Sequence, residues 1–90
     1  MTLNNIGASY LADGRFDEAI AAFHEALAID PQYPLPYCNI AVVSMVQGDR
    51  DSADRLLDEA RRLGYTAGKI DAVIHRAQAF LASVEGRGSS

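Results

Sequence analysis

Apolar residues return every three or four positions through most of the chain, and the pattern breaks at four points marked by glycine or proline. That spacing belongs to helices with one buried face. Leu3, Ile6, Gly7 and Tyr10 mark a first helix that stops at Asp13-Gly14, where glycine supplies the left-handed residue past a helix end. Asp17 is placed to cap a second helix, with Glu18 in its first turn and Ala19, Ile20, Phe23, Ala26 and Leu27 on one face. It ends near Asp30-Pro31, since a residue before proline avoids helical geometry. A third helix starts at Pro34-Leu35-Pro36 and closes at Gly48. Asp51 is placed to cap a fourth, with Ala53, Leu56, Leu57, Ala60 and Leu63 inward and Gly64 at its end. A fifth spans roughly 67–84 behind Thr66, with Ile70, Val73, Ile74, Ala77, Leu81 and Val84 as its stripe. Residues 86–90 carry no periodicity and read as a disordered tail.

The first four helices are one pattern written twice. Shifted by 34 residues, Leu3 falls on Tyr37, Asn5 on Asn39, Ile6 on Ile40, Gly14 on Gly48, Ala19 on Ala53, Phe23 on Leu57 and Ala26 on Ala60. Five of these seven pairs are identities and the other two keep a large apolar group. A repeat of this length is one supersecondary unit that buries its face against a neighbour. The expectation is an all-α chain, a single domain over 1–85. It comprises a hairpin at about 1–33, a second at about 34–65 and a capping helix at about 67–84.

Composition narrows the chemistry. The net charge is -4, and Arg61-Arg62 is the only adjacent basic pair, so no basic stripe is present to displace counterions from nucleic acid. Cys38 is the single cysteine and has no internal disulfide partner. No Cys or His cluster has metal-ligand spacing, so neither a metal nor another cofactor is expected. Together with the lack of a signal-like start or a bilayer-length apolar run, this points to a cytoplasmic protein without membrane insertion. The chain begins directly on a helix pattern, as a piece of a longer protein would.

The first unit, with Leu3, Ile6, Gly7, Tyr10, Gly14, Phe16, Ala19, Phe23, Ala26 and Pro31, resembles the tetratricopeptide repeat family. The second keeps Tyr37, Ile40, Ala41, Gly48, Ala53, Leu57 and Ala60, but places Ser44, Arg50 and Tyr65 where the first has Tyr10, Phe16 and Pro31. The resemblance implies a right-handed superhelical stack of antiparallel helix hairpins, five helices in all. It also implies a protein-interaction module that binds a peptide or partner segment on its concave side. By helical spacing that side collects Asn4, Asn5, Ala8 and Leu11 from the first helix. It adds Cys38, Asn39, Val42 and Met45 from the third, and Lys69, Val73 and Arg76 from the fifth. The recurring Asn5 and Asn39 suit a peptide backbone, Leu11, Val42 and Met45 an apolar floor, and Lys69 with Arg76 a carboxylate. Some members of the family grip a C-terminal carboxylate with Lys, Asn, Asn, Lys and Arg. Asn39 and Lys69 match two of these, whereas Asn4, Ala8 and Val73 do not match the other three, so that clamp is not expected.

Nothing in the sequence points to catalysis. His24 lies beside Glu25 on an outer face, and His75 follows Asp71 by one turn, as ordinary helix-surface residues do. No phosphate loop or nucleophile elbow occurs. Two other functions are compatible with the pattern. The uncovered first helix, with Leu3, Ile6 and Tyr10 near its edge, suits a self-assembling scaffold. The domain could equally regulate an enzyme on another part of the same polypeptide.

Overall fold

Three glycines punctuate the chain. Gly14, Gly48 and Gly64 adopt φ of 78°, 84° and 100°, a region that costs a residue with a side chain heavily. At each one the following residue reaches back five positions. Arg15 N donates to Tyr10 O at 2.9 Å, Asp49 N to Ser44 O at 2.8 Å and Tyr65 N to Ala60 O at 3.0 Å. These bonds satisfy carbonyls that a helix end would otherwise leave unpaired. The computed structural model describes residues 2–88, which form α1 (Leu3–Ala12), α2 (Phe16–Ile29), α3 (Pro34–Val46), α4 (Arg50–Arg62) and α5 (Ala67–Gly88).

The helix starts differ from expectation. Asp17 does not cap α2: the helix begins at Phe16, and Arg15 holds the cap position without a side-chain bond. The Arg15 guanidinium turns instead to Glu18 at 2.9 Å, and Asp17 and Glu18 sit in the first turn, where acidic groups suit the helix dipole. Asp51 likewise gives way to Asp49, whose carboxylate accepts from Ser52 N at 3.2 Å and Ser52 Oγ at 2.7 Å. Glycine ends one helix so abruptly that the next starts two residues later, ahead of the acids the sequence suggested. At the other end α5 continues to Gly88, past the expected limit at 84, because no proline or left-handed residue stops its backbone ladder. Ser89 and Ser90 of the expected tail lie outside the described residues, as do the side chains of Leu81 and Val84.

α1 packs on α2 and α3 on α4 as two hairpins, and α3 also lies against both helices of the first. Ala19, Ala26, Ala53 and Ala60 are all buried, as close helix crossings require. At the first crossing the fully buried Phe23 ring lies directly over Gly7, and in the second hairpin the equivalent pair is Leu57 and Ala41. Small-over-large in one unit thus becomes medium-over-medium in the other. Tyr37 ties the units together by donating its hydroxyl to Pro31 O at 3.1 Å.

The fifth helix breaks the repeat. By analogy with α3, it should lie against both helices of the preceding hairpin. It packs on α3 and scarcely touches α4. The reason is on α4. Phe16, Ile20 and Leu27 of α2 pack against the core, whereas the residues 34 positions on are Arg50, Asp54 and Arg61, all exposed. An apolar helix gains nothing by burying those charges and would have to desolvate them. Ile70, Val73 and Ala77 therefore bury, with α5 packed on α3, and a later turn of α5 carries Phe80 towards the first hairpin. Phe80 reaches Phe16 of the first hairpin, ring centroids 6.0 Å apart at 67°.

Candidate functional site

The inner side of the stack is formed by α1, α3 and α5, and ten of the eleven residues expected to line it divide into three groups, the exposed Asn5 standing apart from them. Cys38, Val42, Val73 and Leu11 are buried. Cys38 and Val73 belong to the seam between α3 and α5 and offer no surface to a ligand. Leu11 and Val42 still form the bottom of a hollow described below.

Asn4 and Asn39 make up the second group. They were expected to face a peptide, but they face each other: Asn39 Nδ2 donates to Asn4 Oδ1 at 2.9 Å, with the residues 6% and 7% exposed. This bond joins α1 to α3 within the core, so neither amide is presented to a bound backbone. Asn5, Asn39's equivalent in the first unit, is exposed because no earlier helix lies beside α1 among the described residues. The recurrence of asparagine across the repeat therefore reports a position rather than a shared contact.

The third group is accessible. Lys69 is exposed near the start of α5, with its ammonium over the Tyr65 ring at 5.4 Å. Met45 is half-buried and lies with Arg50, Ile74, Ala77 and Gln78 on the other flank of α3. Ala8 and Arg76 come together. With Leu11, Ala12, Val42 and Phe80 they line a hollow of about 150 Å³ between α1 and α5, walled almost entirely by carbon. Arg76 is exposed and forms no ion pair among the described residues. Its charge lies close enough to Cys38 to favour the thiolate, but burial dominates and pushes the thiol up to about 11. A thiol so held is almost wholly protonated near neutral pH and therefore a poor nucleophile.

Two residues of the hollow, Ala12 and Phe80, were not anticipated. Phe80 stands seven residues after Val73, which puts it on the same face of α5. The apolar stripe read from the sequence runs through Leu81 instead, and the packing of α5 on α3 brings Phe80 to the hollow beside α1. Among the described residues no group of His, Cys, Asp and Glu could hold a metal ion, and no helix is long and apolar enough to cross a membrane. His24 and His75 are both exposed.

The family whose sequence model matches is the tetratricopeptide repeat, over residues 1–33. That span is the α1–α2 hairpin, and the second hairpin repeats its fold with looser side chains. No curated protein and no solved structure matched the chain.

Proposed function

We propose that this tetratricopeptide-repeat domain binds a partner polypeptide by seating one apolar side chain in the hollow beneath α5, with an acidic group of the same segment on Arg76. The family's repeats generally mediate protein–protein interactions. The observation that supports the finer reading is the hollow itself, with Ala8, Leu11, Ala12, Val42 and Phe80 around it and, at its rim, the Arg76 guanidinium, which forms no ion pair among the described residues. Its size is close to that of an apolar cavity known to hold one benzene ring, so it suits a single Leu or Phe and not a row of side chains. Burying such an anchor is worth about 2 kcal/mol, and a guanidinium–carboxylate bond adds specificity.

This reading is narrower than a long peptide groove, because Cys38, Val73, Asn4 and Asn39 are buried and the hollow beside Arg76 remains open. It is a binding reading and not a catalytic one. A chain with one free cysteine and no disulfide is in keeping with a reducing compartment such as the cytoplasm. The test is a titration, followed by amide chemical shifts, with short peptides carrying one Phe or Leu next to Glu. Shifts should gather at Ala8, Ala12 and Val42. Arg76→Gln should weaken binding about tenfold, and Ala12→Trp, which fills the hollow from an exposed position, should abolish it. Equal affinity for wild type and Ala12→Trp would remove the hollow from the site.

A further inference from the structure

A second apolar trough lies on the opposite side of the first hairpin. Leu3, Ile6 and Tyr10 of α1 face Ala21 and Ala22 of α2 across about 310 Å³, with Glu18 and Glu25 along the α2 rim. A further hollow of about 270 Å³ shares Leu3 and reaches Ala26 and Ile29. Ile29, 76% exposed, is the one large apolar side chain that stands in solvent among the described residues. Contiguous apolar surface with polar edges marks an interaction site more often than chance exposure does.

We infer that this trough docks a single amphipathic helix of a partner protein, one with large apolar residues inward and lysines or arginines along its flanks. The helical form comes from the shape of the trough. Leu3, Ile6 and Tyr10 follow one another along α1 and Glu18, Ala21, Ala22 and Glu25 along α2, so the trough runs lengthwise between two helices, as the groove that takes a third helix does. The basic flanks come from charge. Residues 1–33 hold five acids (Asp13, Asp17, Glu18, Glu25 and Asp30) against one base (Arg15), whereas residues 34–90 hold seven of each. The whole net charge of -4 therefore sits on the first hairpin. Arg15 is engaged at one end of the trough, bonded to Glu18 and lying over the Tyr10 ring at 5.1 Å, so Glu25 is the acid left open to a partner.

Other occupants fit less well. A whole additional repeat would need apolar contacts along the outer side of α1. α3 buries Pro36, Asn39, Ile40 and Val43 on that side, but α1 offers Thr2, Asn5 and Ser9 around Ile6, all three exposed. A second copy stacked head to tail would present Arg50, Asp54 and Arg61 of α4, with no apolar residue among them. Two copies meeting edge to edge would set acidic rims against each other.

The test uses the whole chain, labelled for amide shifts, and a synthetic helix of about 18 residues, long enough to be helical when bound. The probe carries Phe, Ile and Leu at the spacing of Phe16, Ile20 and Leu27, with Lys flanks, and the control carries Glu flanks. The expected result is binding that shifts Ile6, Tyr10, Ala21 and Ala22 and falls about tenfold or more with the Glu-flanked control or with Glu25→Lys. Arg76→Gln should leave it unchanged, which separates this face from the inner hollow. Equal affinity for both peptides, shifts confined to the inner face, or self-association of the chain through Ile6 and Tyr10 would each overturn the inference.

Discussion

Gly7→Ala tests whether the two hairpins are built by compensating choices of size. A Cβ on Gly7 would stand 2.5, 2.7 and 2.9 Å from three carbons of the Phe23 ring, well inside any ordinary contact. The ring cannot swing aside into solvent, because Phe23 is fully buried. Overpacking of this kind costs about 1–3 kcal/mol, and three short contacts place it near the top of that range. Against it stands the helix preference for alanine, about 1 kcal/mol in favour of the variant. The balance is a loss of about 2 kcal/mol, or a Tm lowered by roughly 8–16 °C for a domain of this size. The second hairpin supplies the compensation, since its own pair is Ala41 with Leu57. Phe23→Leu alone should also destabilise, by leaving space over Gly7. The double variant should recover part of the loss, with a coupling of about 1–2 kcal/mol in urea unfolding. A Gly7→Ala protein that melts above wild type, as propensity alone would have it, refutes the reasoning.

Asn39→Ala should cost about 1–3 kcal/mol in urea unfolding, because it strands the buried Asn4 Oδ1, while Asn4→Val with Asn39→Leu should recover most of it. The Cys38 thiol, raised from 9.0 to about 11 by burial, keeps its proton longer folded than unfolded. Its contribution, about 3 kcal/mol at most, is therefore fully present below pH 9 and lost as pH rises towards 11. Stability against pH from 8 to 11 should accordingly fall less steeply in Cys38→Ala than in the wild type, and parallel curves would contradict this. Writing the first unit's face onto α4, as Arg50→Phe, Asp54→Ile and Arg61→Leu, should draw α5 against α4. The measurement is loss of proton cross-relaxation between Phe16 and Phe80.

The hairpins were legible because each rests on local chemistry that leaves a mark in one dimension. Glycine at a left-handed turn, alanine at a crossing and proline in a first turn each answer to neighbours within one repeat. The inner face was less legible, since helical spacing says which way a side chain leaves its helix and not what it meets there. Asn5 and Asn39 share a register, yet one is in water and the other is bonded across a core, because only the second has an earlier helix beside it. Cys38 and Val73 point inward by spacing and are sealed by each other's helices.

The signal that decides the inner face sits elsewhere, on a helix that does not line it. Arg50 in the position of Phe16 reads, within α4 alone, as one looser match to the repeat. Taken with Asp54 for Ile20 and Arg61 for Leu27, it removes the surface on which a third hairpin would be laid. A polar outer face is what keeps one repeat from stacking on the next in a helical array. Here it has a second effect, because the next helix still carries Ile70, Val73, Ala77 and Phe80 to bury. Denied α4, those residues turn to α3 and to the first hairpin, and their helix narrows the inner groove to one apolar hollow beside Arg76. The course of α5 and the shape of the candidate site thus follow from the same three departures from the repeat.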